Sequence, residues 1–202
     1  MSARIEKAVV SGVFSLDGQD FDVDNNVWLI GDEDEVLVVD APHDAAPIVE
    51  AIAGRRVTAI VLTHGHNDHI TAAVALRAAT GASVWFNPAD RMLWDVVHPD
   101  AAPDRELTDG TTFEVAGTTL TALHTPGHSP GSTCLHAPEL GTVFTGDTLF
   151  CGGPGATGRS YSDEPTILES IRARLLTLPG DTVVRTGHGD DTTIAAEVGN
   201  IA

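Results

Sequence analysis

The sequence predicts an α/β fold in which two β-sheets pack together with helices on the outside. Three observations carry that expectation. The continuous apolar runs at 36–39 and 57–62 read as strands buried on both faces. A segment with helical spacing follows each of them, at 44–53 and 70–79. From Thr111 the pattern starts again, with short β-branched strands and then an amphipathic segment at 166–178.

The elements follow in order. Residues 8–14 and 26–30 are apolar enough for strands, and 32–35 form a charged turn before the run at 36–39. Asp40-Ala41-Pro42 ends that strand. The helix at 44–53 carries Ile48, Val49 and Ile52 and stops at Gly54; the alanine-rich helix at 70–79 is closed by Gly81. A strand at 83–86 precedes a helix at 88–97 with Pro88 in its first turn. Residues 98–109 have loop composition. Strands are expected at 112–115, 118–124, 132–136 and 143–145. The helix at 166–178 groups Ile167, Leu168, Ile171, Leu175 and Leu178, and a strand at 182–184 and a short helix at 192–198 close the chain.

Composition narrows the function. The 202 residues suit one domain, 1–202. The formal net charge is −18, Lys7 is the one lysine and the arginines are scattered, which disfavours nucleic acid as a partner. No apolar run approaches the roughly 20 residues of a membrane helix, and the start is too polar for a secretory signal. A soluble, cytoplasmic protein without a membrane partner is expected, its oligomeric state open. Two cysteines make no disulfide framework; Cys134 is expected in the core and Cys151 as a plain thiol in a glycine-rich loop.

Thr63-His64-Gly65-His66-Asn67-Asp68-His69 follows the strand at 57–62 directly. It packs three imidazoles and a carboxylate into six residues at a strand's carboxyl end, where α/β sheets place ligands. Imidazole and carboxylate together hold zinc, iron or manganese. Three later segments place a His or Asp at a glycine turn after a β-branched stretch: Thr125-Pro126-Gly127-His128, Thr145-Gly146-Asp147 and Thr186-Gly187-His188. Singly each is a common turn. With the dense loop they supply five histidines and two aspartates, enough for two metals sharing a bridge.

In these residues the chain resembles the metallo-β-lactamase superfamily, and within it the short, single-domain glyoxalase II-like hydrolases. His64 to His69 matches the His-x-His-x-Asp-His motif, and His128, Asp147 and His188 match its downstream ligands in order. The resemblance implies a four-layer αββα sandwich and two divalent metals, zinc first, with iron or manganese as alternatives. It implies His64, His66 and His128 on one metal, Asp68, His69 and His188 on the other, and Asp147 between them. It also implies a bridging hydroxide that attacks an acyl carbonyl, with Asp68 as the catalytic side chain that orients it or takes its proton. His69 and Asp147 argue against an antibiotic-degrading β-lactamase. Asp40 is a candidate to fix a ligand's tautomer.

The expected substrate is a small thioester. By resemblance, Arg159 and Tyr161 in the loop after Asp147 contact the thiol carrier. That loop is longer than is usual in the family. Classical glyoxalase II carries a helical C-terminal domain for glutathione, which is not expected here. The Ala, Gly and Arg bias with one lysine suggests a GC-rich genome of the actinobacterial kind, where mycothiol serves instead. The carrier is therefore expected to be glutathione-like or mycothiol-like. Two alternatives on the same ligands are a persulfide dioxygenase using one iron, held by His64, His128 and Asp147, and a lactonase or other ester hydrolase. The loop Gly158-Arg159-Ser160-Tyr161-Ser162 departs from the dioxygenases' usual Gly-Arg-Thr-Asp-Phe.

Overall fold

The computed structural model describes residues 3–201. The chain opens with a long antiparallel hairpin, β1 (Arg4–Leu16) and β2 (Gln19–Gly31). Both strands exceed the predicted runs. The outer half of β2 is polar and exposed, so its hydropathy gives no strand signal; pairing with β1 holds it. β3 (Glu35–Val39) pairs antiparallel with β2, and β4 (Arg56–Val61), β5 (Val84–Phe86) and β6 (Arg105–Glu106) continue the sheet in parallel. β6 falls in the segment predicted as loop, two residues being too short to show a period.

Helix α1 (Ala45–Ile52) starts at Asp44, whose side chain accepts from the Ala46 amide. The helix predicted at 70–79 is two pieces, α2 (Asn67–Ile70) and α3 (Ala73–Thr80). The break has a cause. The Ala72 amide donates to Ala41 O, and the Ala41 amide donates to His69 O. The segment after β3 thus takes hydrogen bonds that a continuous helix would have kept, and sets the histidine loop against the end of β3. A 3₁₀ turn at Pro88–Asp90 leads into α4 (Arg91–Val97).

The second sheet has the order β14-β13-β10-β9-β8-β7. Its strands are β7 (Thr112–Val115), β8 (Thr118–His124), β9 (Thr133–Ala137), β10 (Thr142–Gly146), β13 (Val183–Thr186) and β14 (Thr192–Thr193). A small hairpin, β11 (Leu149–Phe150) and β12 (Gly153–Pro154), interrupts the glycine-rich loop. α5 (Glu164–Ser170) begins two residues earlier than predicted, because the Asp163 side chain accepts from the Thr166 amide and Pro165 fits the first turn. It widens into a π turn at Ile171–Leu175. The predicted closing helix starts as β14 and continues as α6 (Ile194–Glu197).

Three apolar layers separate four structural layers. Val36, Val38, Ile60 and Leu62 face Ile48, Ile52, Leu76 and Trp94 of the first helix layer. The alternate residues Leu37, Val39 and Val61 face Leu120, Leu135 and Phe144 of the second sheet. Cys134, Val143 and Val184 turn outward against Ile167, Ile171, Leu175 and Ile194. Each central strand is therefore buried on both faces, which is why its sequence reads as a continuous apolar run. The parallel pairs β3/β4 and β10/β13 bring their carboxyl ends to one edge, and the polar turns sit there. Among the described residues, no helix is long and apolar enough to cross a membrane.

Candidate metal centre

The site grows from strand ends whose backbone is fixed by buried carboxylates. Asp40, just past β3, accepts from the Thr63 amide at 2.7 Å, the Thr63 hydroxyl at 2.9 Å and His69 Nδ1 at 2.8 Å. Asp90 accepts from the Gly65 amide at 2.8 Å, the Gly131 amide at 2.6 Å and the Ser129 hydroxyl at 2.6 Å. It thereby ties the His64–His66 turn to the turn carrying His128. Asn26 joins the two sheets: its side-chain amide donates to Thr186 O and Gly189 O, on either side of His188.

Tautomers follow from these partners. His69 Nδ1 faces a carboxylate, His128 Nδ1 faces Ala156 O at 2.9 Å and His188 Nδ1 faces Asp24 O at 2.8 Å. All three partners only accept, so each Nδ1 carries the hydrogen. The Thr63 hydroxyl spends its proton on Asp40, so His64 Nδ1, 3.1 Å away, donates to it. Four imidazoles thus turn Nε2 inward. His66 is turned the other way, with Nδ1 3.1 Å from His64 Nε2 and 3.0 Å from His128 Nε2.

The two carboxylates face these nitrogens. Asp147 Oδ1 lies 3.3 Å from His69 Nε2, and its Oδ2 lies 3.4 Å from His188 Nε2 and 3.6 Å from His128 Nε2. Asp68 Oδ2 lies 3.3 Å from His188 Nε2. Asp68 Oδ1, Asp147 Oδ1 and His66 Nε2 are buried without a hydrogen-bond partner. Three trios converge with their ligand atoms within 4.8 Å of one another: His64, His66 and His128; His64, His69 and Asp147; Asp68, His69 and His188. Gly187 makes room, since a Cβ there would stand 2.2 Å from Asp147 Oδ1.

Buried lone pairs this close repel unless positive charge lies among them. Burial drives the His64 imidazole well below its ordinary range and the His66 imidazole down to about 3. Burial also opposes charge on His69 and His188, yet the nearby carboxylates, Asp147 foremost, outweigh it. They hold His69 well above the usual range and raise His188 to about 10. Without a cation, protons neutralise the carboxylates at one end of the cluster. The donor set, all imidazole and carboxylate with unpartnered inward atoms, fits divalent metal.

A cavity of about 360 Å³ opens over the cluster. Phe14 from β1, Val23 from β2, Phe150 and Ala156 form its apolar walls beside His66, Asp68, His128, Asp147 and His188. The Phe14 ring lies 5.2 Å from the His66 ring. Arg159 and Tyr161 stand apart. The Arg159 guanidinium covers the Phe21 ring at 4.7 Å and donates to Gln19 Oε1 at 3.2 Å. The Tyr161 side chain is exposed, and the residue has φ 69°. Neither lines the cavity.

The family profile of the metallo-beta-lactamase superfamily matches residues 21–188. The chain belongs to that superfamily. It is 33% identical to the hydroxyacylglutathione hydrolase GloC of Haemophilus influenzae over 186 residues, which cover 85% of this chain and 87% of that protein. Among solved structures it is similar to TTHA1623 in a di-iron-bound form, with TM-score 0.76 and 30% identity over 86% of this chain and 92% of that one. It is also similar to the BLEG-1 B3 metallo-beta-lactamase, with TM-score 0.78 and 27% identity over 93% and 95% of the two chains. The superfamily's αββα layering is the architecture described above.

Several residues at this superfamily site escaped the sequence reading. Asp90 looks like an ordinary helix-start aspartate. Asp24 and Ala156 act through backbone carbonyls, which no side chain announces. Asn25 and Asn26 did leave a signal: asparagine is depleted in strands, and two in succession open the apolar stretch of β2.

Proposed function

We propose that this chain is a dinuclear metallohydrolase that cleaves a small thioester. The observation that carries the reading is one cluster of seven imidazole and carboxylate side chains, five of them lining an apolar-walled cavity, with Asp68 Oδ1 and Asp147 Oδ1 unpartnered. His64, His66 and His128 would hold one cation, and Asp68, His69 and His188 the other. Asp147 faces both groups and would serve between them. When bound, such a pair polarises an acyl carbonyl and brings the pKa of a water close to neutrality.

The chain's own groups do the rest. The Nδ1 partners Asp40, Thr63, Ala156 O and Asp24 O keep four imidazoles in the ligating tautomer. Asp68 Oδ1 would orient the attacking water or take its proton. Phe14, Val23 and Phe150 would seat the acyl group and exclude bulk water. The thiol carrier of a hydroxyacyl-glutathione-like or acyl-mycothiol-like thioester would leave as the free thiol past the hairpin tip, where Arg159 and Tyr161 stand. The similarity to GloC supports a thioester, and the similarity to a protein solved in a di-iron-bound form supports two cations, which the donor set allows to be zinc, iron or manganese.

The test is thiol release from a panel of thioesters by the metal-loaded protein. His66→Ala and Asp147→Ala should each abolish turnover. Wild-type rates in either variant would contradict the mechanism.

A further inference from the structure

Asn25 lies in β2 with no solvent exposure. Its side chain stands between a cluster carboxylate and a histidine outside the cluster. Nδ2 is 3.1 Å from Asp68 Oδ2, and Oδ1 is 2.7 Å from His43 Nε2. The ends of the amide are fixed by chemistry. An ionised carboxylate only accepts, so the NH₂ group faces Asp68 and the carbonyl oxygen faces His43. His43 Nε2 must then carry a hydrogen and donate it. Asn25 Nδ2 also lies 3.2 Å from His69 Nε2 and 3.4 Å from His188 Nε2. One amide therefore touches all three side chains of the Asp68, His69 and His188 group.

His43 is held from two sides. Its backbone has φ 49°, the left-handed region that turns the chain after β3. Its ring lies against Gly12 of β1, where a Cβ would stand 2.2 Å from His43 Nδ1. A glycine slot in one strand, a left-handed residue after β3 and a buried asparagine in β2 meet in one chain of contacts, and it ends on Asp68.

We propose that Asn25 and His43 are positioning residues for the Asp68, His69 and His188 half of the cluster. Asn25 fixes the Asp68 carboxylate through Oδ2, the oxygen that faces His69 and His188 Nε2, while His43 locks Asn25 in the orientation that does so. The inference rests on the metal-holding reading above and deepens it. The cation on this half depends on the pair, and the cation on His64, His66 and His128 does not.

The experiment titrates metal-free protein with zinc, and with cobalt as a spectroscopic probe, against a competing chelator, without substrate. Asn25→Ala and His43→Leu should each weaken one of two cations about 10- to 100-fold and leave the other unchanged. His43→Gln, whose amide can also donate to Asn25 Oδ1, should recover most of the loss, which a space-filling role would not predict. In a His188→Ala background, Asn25→Ala should leave the remaining cation's affinity unchanged. If Asn25→Ala does not fold, His43→Leu and His43→Gln decide the matter. Wild-type affinity for both cations in these variants, or equal weakening of both, overturns the inference. A wild-type protein that takes up two cations with these dependences yet cleaves no thioester breaks the hydrolase reading alone.

Discussion

The histidine cluster and the rim above it are built on different terms. In the cluster, the histidines and aspartates sit at strand ends, four of the five imidazoles spend Nδ1 on an acceptor, and Asp40 and Asp90 pin the turns through backbone amides. The rim is the tip of the β1–β2 hairpin and the loop after β12. It is held by an arginine on Phe21, a bond from Arg159 to Gln19, and the Ser160 amide on Asp17 at 3.1 Å. The cluster is over-determined and buried; the rim is lightly held and half-exposed. Chemistry that must place several donors within a few ångströms needs the first kind of support. Contact with a variable part of a substrate needs only the second.

Breaking the cluster should have the largest effect. His66→Ala or Asp147→Ala should lower thioester hydrolysis by more than about 100-fold, beyond the range for outer partners, as followed by thiol release. Next comes the cluster's scaffold. Asp90→Ala strands two buried amides and a hydroxyl, and should destabilise the metal-free protein by about 3 kcal/mol in urea unfolding. A change under about 0.5 kcal/mol would remove Asp90 from the account.

Protons supply a third comparison. In the metal-free protein His69 is held well above its ordinary range and His188 at about 10, so both carry protons at neutral pH that a cation must displace. Metal uptake should therefore release protons and weaken as pH falls. Calorimetry in buffers of different ionisation enthalpy would detect the release, and affinity independent of pH would contradict it.

At the rim, Arg159→Ala removes a partly exposed cation–π contact worth about 0.5–1 kcal/mol. An exposed contact of similar size to the thiol carrier would be lost with it, so KM should rise about two- to fivefold with kcat little changed. A loss of kcat like that of Asp147→Ala would mean that the rim belongs to the chemistry. The smallest effect is expected at His136, outside the cluster, where His136→Gln should change stability by less than about 0.5 kcal/mol and leave metal content unaltered.

What could be read from the sequence follows the same division. The layers were legible because β3 and β4 are buried on both faces and must be apolar throughout. The turns that meet in the cluster were legible because they concentrate imidazole and carboxylate, and a sheet offers them at strand ends. The outer half of β2 was not, since its pairing partner, and no hydropathy of its own, makes it a strand. The split between α2 and α3 was hidden because Ala41 supplies the competing hydrogen bonds through its backbone. His43 carries no sequence signal, because its neighbour Asn25 lies 18 positions away. Arg159 and Tyr161 were assigned by resemblance, and the structure turns Arg159 toward Phe21 rather than into the cavity.

The most direct test of the central claim is the metal content of protein purified without oxygen and without added metal, measured with its stoichiometry per chain. Two divalent ions per chain, falling in Asp147→Ala, is the predicted result. A single iron per chain, unchanged in variants of His69 and His188, would contradict a dinuclear hydrolase.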